Sequence, residues 1–335
     1  MTNTNKLLVS PSPHIHSGDS IEKNMYAVIL ALMPAWIISI YYFGLDALWV
    51  TLTSIFACVV VEWFINRFML GKEELTIKDG SAILTGLLLA MNLPSNIPLW
   101  IVVVGAIVAI GIGKMSFGGL GNNIFNPAIV GRVMLLISFP QQMTSYPPNR
   151  FADVAADAVT APTPLAIAKG IIYGAHSVDE MPSAIESLLG QVGGSFGEVS
   201  AIALLIGFAF LLIRKVVTWH IPVAIFGTAY LFGGIMYLAN PTIYIDPINH
   251  ILGGGMMLGA LFMATDYVTS PMSKGGMILY GVLIGLITML IRLFGAYPEG
   301  ISFAILFMNG ITPLINTYMT PKLFGDKAPK TPKAA

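Results

Sequence analysis

Long apolar runs separated by short polar breaks fill most of the chain, and ten of them suit the roughly 30 Å of hydrocarbon in a bilayer. They cover residues 25–44, 46–69, 80–93, 97–113, 122–139, 199–218, 220–240, 249–267, 276–297 and 300–320. The pattern predicts an all-α polytopic membrane protein. No small-residue cleavage site follows the first run, so it reads as an uncleaved span rather than a signal peptide. Residues 140–198 break the rhythm. They are rich in Pro, Ala, Ser and Gly and hold six acids (Asp153, Asp157, Asp179, Glu180, Glu186, Glu198) against Arg150 and Lys169. The chain thus divides into a segment 1–24, five spans over 25–139, a water-facing loop 140–198, five spans over 199–320 and a basic tail 321–335.

The two sets of spans resemble each other. Gly86-Leu-Leu-Leu-Ala-Met-Asn92 leads to Pro98, a long span, Lys114 and Phe117-Gly-Gly119; Gly259-Ala-Leu-Phe-Met-Ala-Thr265 leads to Pro271, a long span, Arg292 and Phe294-Gly-Ala296. An odd number of spans per copy turns the second copy over relative to the first, so the expectation is two inverted five-helix repeats. The third and eighth spans are short for a bilayer and end in polar, proline-bearing sequence, Asn92 to Pro98 and Thr265 to Pro271. Backbone that leaves a helix at membrane depth must line a cavity or be buried in protein. Paired broken spans therefore predict a central site.

Composition agrees with a lipid environment. Of the 335 residues 56% are hydrophobic and only 10% charged, with a mean hydropathy of +0.78. A soluble domain carries about 25% charged residues to wet its surface. A cytosolic enzyme, a secreted module and a disordered tail are excluded. Seventeen basic against seventeen acidic residues leave no net charge to recruit nucleic acid. The single cysteine, Cys58, excludes an intrachain disulfide framework and a cysteine-ligated Fe–S cluster held by this chain alone, and reads as apolar packing. The five histidines form no zinc spacing, and no metal site is expected.

Sidedness follows from lysine and arginine. With the N-terminus inside, thirteen fall on the inner side and three, Arg150, Lys169 and Arg292, on the outer, while Arg132 lies within a span. The excess places both termini in the cytoplasm and the 140–198 loop beyond the membrane.

Charged residues at membrane depth are costly and mark function. Arg132 and Arg292 read equally as partners of a ligand's ring oxygens or of a buried acid. Asp266, beside Thr265 and Thr269 at the eighth-span break and opposite Asn92 at the third, has two open readings. It holds a cation or relays a proton, or it caps a half-helix as a conformational lock. Glu62, near a span end, reads as a snorkelling side chain. The outer-loop acids read as a solvated face, and Gly118-Gly-Leu-Gly121 as close helix packing.

The loop also carries Asp157-Ala-Val-Thr160-Ala-Pro-Thr163. This resembles the flavinylation signature, Asp-x-x-Ser/Thr-Gly/Ala-Ala-Thr, of the RnfD/NqrB family of membrane subunits, with Pro162 in place of the usual alanine. Ser10-Pro-Ser-Pro-His14, Phe125-Asn-Pro-Ala-Ile-Val-Gly-Arg132, Asp266-Tyr-Val-Thr-Ser-Pro271 and Tyr297-Pro-Glu-Gly-Ile-Ser-Phe-Ala-Ile305 are similar to further blocks of that family, in the family's order. The length is nearer to RnfD than to NqrB, which usually has a longer N-terminal region.

The resemblance implies a subunit of a bacterial inner-membrane Rnf-type electron transport complex, passing electrons between ferredoxin and NAD while Na+ or H+ is moved. It implies FMN joined by a phosphoester to Thr163, with Thr160 and Asp157 recognised by a separate flavin transferase, and a second, non-covalent flavin, riboflavin. Other Rnf subunits would be its partners and membrane lipid its solvent. No side chain here is expected to catalyse a reaction alone, since the cofactors supply the redox chemistry. Three other readings remain: an NqrB-like subunit of a Na+-translocating NADH:quinone reductase, an inverted-repeat solute or ion channel, and a scaffold whose apolar faces merely seat other subunits.

Overall fold

Ser20 begins the first helix, its hydroxyl accepting the Lys23 N–H, and α1 (Ile21–Phe43) then runs 23 residues, about 34 Å. Gly44, at φ +74°, turns the chain into α2 (Leu45–Phe64), which continues as a π turn over Ile65–Met69. The structure, a computed structural model, describes residues 18–71, 76–148, 162–190, 192–198 and 200–320. Helix α3 (Ser81–Met91) is only 11 residues long, about 16 Å. Helix α4 (Leu99–Ile107) follows Pro98 and passes into a second π turn, Val108–Ile112. Helix α5 (Pro127–Ser138) starts where Asn126 caps it through the Ala128 and Ile129 N–H groups.

The connecting segment holds α6 (Pro140–Met143), α7 (Pro164–Ile172) and α8 (Ala184–Leu189), with 3-10 turns at Val178–Glu180 and Phe196–Glu198. Five further spans follow. They are α9 (Ala201–Ile213), α10 (His220–Ala239), the broken pair α11 (Pro247–Leu252) and α12 (Met256–Leu258) with its π turn Gly259–Met263, then α13 (Lys274–Phe294) and α14 (Ile301–Tyr318). No strand occurs among the described residues. All ten predicted spans are helical. Six helices are long and apolar enough to cross a bilayer, and α3, α5 and α9 are shorter apolar helices.

The two halves repeat the same order of helices, and the broken third and eighth spans occupy matching places. Helices also pack across the halves, α1 on α9 and α5 on α14. Between helices in lipid the attraction is close van der Waals packing, which small residues permit. A Cβ on Gly207 of α9 would meet the Ala31 carbonyl oxygen of α1 at 1.9 Å, and one on Gly86 of α3 the Ile55 Cα of α2 at 2.7 Å. Both crossings need glycine. Large apolar side chains such as Phe56, Ile213 and Leu238 are exposed on the outside of the bundle, as a lipid-facing surface requires.

The interrupted spans meet inside the bundle. Asn92, at the end of α3, donates to the Leu88 carbonyl at 2.7 Å and reaches the Met263 sulfur at 3.4 Å. Asn126 donates to the Met263 carbonyl at 3.2 Å. Two asparagines of the first half thus reach the end of the eighth span's π turn, and one of them satisfies its freed backbone.

Two expectations are corrected. Gly118, Gly119 and Gly121 all have positive φ (108°, 98° and 93°) and shape a turn before α5 rather than a helix contact. Glu62 does not snorkel. It is buried at 1% exposure with Lys114 Nζ 2.6 Å away.

Candidate functional site

Two groups of polar residues lie at opposite ends of α1. Asn24 borders one; Ser39, fifteen residues and about 22 Å further on, donates to the Phe196 carbonyl beside the other. The first is the Lys114 face and the second the Thr163 face.

The Lys114 face holds a cavity of about 820 Å³. It lies between the start of α3, the turn before α5 and the end of the eighth span, so the break of the eighth span opens onto it and that of the third does not. Lys114 is held by Glu62 at 2.6 Å and by the Ser81 hydroxyl at 2.6 Å, while Asp79 accepts the Ser81 N–H at 2.8 Å. Every charge in that chain has a partner. Asn123 also lines the cavity; its amide donates to the Phe125 carbonyl at 3.1 Å, but its buried Oδ1 has no hydrogen-bond partner. A buried acceptor without a donor, lining a cavity, fits a molecule that offers N–H groups.

Asp266 and Thr265 reach this cavity; Asn92 and Thr269 do not line it. The Asp266 carboxylate accepts the Thr269 hydroxyl at 3.1 Å, and its carbonyl accepts the Ser270 N–H at 3.1 Å. Asp266 therefore closes the turn after the broken span and presents one edge to the cavity. Thr265 bonds back to the Leu261 carbonyl at 2.9 Å.

On the other face, Thr163 is the N-cap of α7. Its Oγ1 accepts the Ala166 N–H at 3.1 Å, and Pro164 occupies the first helical position, where no N–H is needed. Two pockets meet at this residue. One, of about 490 Å³, is bordered by Tyr146, Thr163, Tyr297 and Glu299; the other, of about 330 Å³, by Thr163, Gly193, Gly194, Glu198 and Glu299. Helix α7 is pinned from behind. Lys169 donates to the Arg292 carbonyl at 3.0 Å and to the Gly295 carbonyl, at the negative end of α13. Partial burial lowers the Lys169 pKa from its ordinary value.

Beneath the pockets lies a buried charge cluster. Arg132 of α5 donates to Glu299 and to the Ser302 hydroxyl, both from the second half, and Glu198 Oε1 stands 3.8 Å from the same guanidinium. Tyr146 donates to the other oxygen of Glu299 at 3.0 Å. Burial, and then the nearby carboxylates of Glu299 and Glu198, push the Tyr146 phenol well above its usual range. Arg292 spends its fork on the carbonyls of His250, Gly253 (2.9 Å) and Gly254 (3.0 Å). Of the two open readings for Arg132 the structure supplies the buried acid; Arg292 takes carbonyl oxygens instead.

Glu198 corrects the reading of the loop acids as a solvated face. Glu180 and Glu186 are exposed, whereas the Glu198 side chain is only 9% exposed. Sequence reasoning also missed Tyr146, Lys114 and Asn123. Asn126, at the start of α5, carried a signal in its Asn-Pro pair, the usual opening of a capped helix. Asp157 and Thr160 lie outside the described residues. Cys58 is buried and free, as expected, and no cluster of metal ligands occurs among the described residues.

Comparison with known proteins follows the same lines. A family model described as "NQR2, RnfD, RnfE family" matches residues 8–325. The D-type subunit of the proton-translocating ferredoxin:NAD(+) oxidoreductase complex of Clostridium ljungdahlii is 42% identical, over 96% of this chain and 97% of the relative. Its counterpart in the Na(+)-translocating ferredoxin:NAD(+) oxidoreductase complex of Acetobacterium woodii is 44% identical, over 95% of each. The D-type subunit of the ion-translocating oxidoreductase complex of Erwinia tasmaniensis is 37% identical, over 96% of this chain and 99% of the relative.

Proposed function

The chain belongs to the NQR2, RnfD, RnfE family, and on that footing we propose that it is the D-type membrane subunit of an ion-translocating ferredoxin:NAD+ oxidoreductase complex, carrying FMN on Thr163 and relaying electrons across the membrane. The partners are the other subunits of that complex, and a flavin transferase installs the FMN. Relatives that match over 95–97% of this chain's and their own length are named as D-type subunits, which favours this reading over the NqrB-like one.

The observation that carries the reading is the place of Thr163. Its hydroxyl stands at a helix N-terminus, on the shared rim of two pockets, in a segment bracketed by Pro162 and Pro164. A phosphoester there sits where backbone N–H groups and the helix dipole favour negative charge. The FMN, when bound, supplies one-electron chemistry that no side chain of this protein has. The chain's own residues do the rest: Lys169 fixes α7, Tyr146 and Glu299 shape one pocket wall, and Arg132 holds the acids beneath.

The Lys114-face cavity fits the second flavin, riboflavin. The unpartnered Asn123 Oδ1 matches a ring N–H, and Lys114 and Asp266 add polar edges. Thr265 and Asp266 lie where an ion or proton path would meet that flavin. The charge asymmetry along the chain supports the Lys114 face as cytoplasmic. A channel is less well supported, because among the described residues none borders both the Lys114-face cavity and the Thr163-face pockets.

The test is fluorescence of the denatured chain under ultraviolet light, after production beside the flavin transferase. A covalently held isoalloxazine survives denaturation. The expected result is a fluorescent wild-type band and a dark Thr163→Ala band; two equally dark bands overturn the reading.

A further inference from the structure

A place to attach a flavin does not explain why Glu198 is buried. Its side chain is 9% exposed, and Oε1 has no hydrogen-bond partner although Arg132 Nη2 stands 3.8 Å away, beyond hydrogen-bond range. Glu299 takes that nitrogen instead, and Tyr146 binds the other oxygen of Glu299. One guanidinium thus faces two carboxylates and satisfies only one. Arg292 of α13 also faces this site, but its two terminal nitrogens are bound to the carbonyls of His250, Gly253 and Gly254.

A carboxylate whose only cation stands 3.8 Å off and is bound to another acid is expensive to bury, and such a group neutralises by taking a proton. Burial first, then the neighbouring Glu299, raises the Glu198 pKa above the ordinary carboxylate range, with Arg132, a Ser195 hydrogen bond and Arg292 pulling the other way. The backbone beside it is bare. A Cβ on Gly255 would meet Glu198 Oε1 at 2.7 Å, and Gly193 and Gly194 border the pocket that Glu198 shares with Thr163.

We propose that Glu198 holds a proton for the flavin on Thr163, keeping it while the flavin is oxidised and surrendering it when the flavin takes an electron. This rests on the reading of Thr163 as the FMN-bearing residue. In the step, a one-electron carrier of the same complex loses one electron, which the ring gains. The Glu198 O–H bond breaks and its proton goes to the ring, which becomes one hydrogen richer with no change in net charge. The carboxylate left behind faces Arg132 until it reprotonates from water entering the shared pocket. Glu299, already bound by Arg132 and Tyr146, keeps the guanidinium in place.

Three measurements test this. Infrared titration of the Thr163→Ala chain, which carries no flavin there, should show a carboxylic-acid C=O band persisting above the ordinary carboxylate range. That band should vanish in Thr163→Ala/Glu198→Gln. Redox titration of the intact complex at a series of pH values should give a flavin potential that falls with pH by one proton per electron. Because the donor is restored from water, that slope should be the same in Glu198→Gln, which keeps the shape and the neutral state. What this variant should lose is speed, with flavin reduction followed by rapid mixing slowed by about 100-fold and Glu198→Asp restoring it. An unchanged rate of flavin reduction in Glu198→Gln overturns the proposal. A flavinylated chain without the band overturns the proposal alone, whereas a chain with the band but no flavin overturns the reading of Thr163 and the proposal with it.

Discussion

The two polar faces solve the problem of charge at membrane depth differently. On the Lys114 face one cation meets one carboxylate at 2.6 Å, with Ser81 joining them, beside a cavity of about 820 Å³. On the Thr163 face one guanidinium meets two carboxylates, and Arg132 Nε, Arg292 Nε and Glu198 Oε1 all lack hydrogen-bond partners. A closed set of charges makes a fixed wall, suited to a ligand that arrives and stays. An incompletely matched set responds to any charge brought near it, which is what a redox group does each time it takes an electron.

The comparison is broken most severely at Arg132. Arg132→Gln leaves Glu299 without its cation, and removing one partner of a buried pair costs about 3–5 kcal/mol. The expected loss lies at the upper end, read from thermal unfolding of the detergent-solubilised chain. Adding Glu299→Gln should recover most of it if Glu198 holds a proton as proposed. If recovery instead requires Glu198→Gln as well, both acids are ionised and the contrast between the faces is wrong.

Lys114→Met should also cost about 3–5 kcal/mol, since there too one buried acid loses its cation. The double variant Lys114→Met/Glu62→Leu should return close to wild-type stability, because replacing a complete buried pair with apolar groups is often neutral. A double variant as unstable as the single one would mean that the pair serves more than its own neutralisation.

The smallest effect belongs to an exposed pair and sharpens the contrast by its weakness. His176 Nδ1 and Glu180 Oε2 are 2.6 Å apart, and Ser177 donates its N–H to Glu180 at 3.2 Å. The His176 hydrogen bond first, then that N–H, hold the Glu180 carboxyl below the usual carboxylate range. A pKa depressed on folding gives stabilisation that is complete above the unfolded value and lost as pH falls through the folded one. Protection of the Ser177 amide against hydrogen exchange, taken relative to the intrinsic rate at each pH, should therefore fall only on acidification past the ordinary carboxylate value. No change on acidification contradicts the pairing.

Most of the architecture was legible because it is local. Each span is a contiguous apolar run, and each break is marked by neighbouring Asn, Thr and Pro, so hydropathy alone located all ten helical spans and the short third and eighth. The proposed attachment residue, Thr163, was singled out for the same reason, through a motif of seven residues. The charge clusters were not. Arg132 meets Glu299 across 167 positions and Ser302 across 170, and Lys114 meets Glu62 across 52. Nothing within a window of the sequence pairs them. Glu198 misled because its neighbours in the chain, Gly193 to Gly197, look like open loop, while in space it is covered by Arg132 and Gly255. The transported ion is another matter of spatial chemistry: relatives 42% and 44% identical bear names that specify protons in one case and Na+ in the other.

The central claim is tested most directly by peptide mass mapping of the chain isolated from its own complex. The account predicts that the peptide containing Thr163 is heavier by one FMN less one water, with fragmentation placing the added group on that residue. A Thr163 peptide of unmodified mass would contradict it.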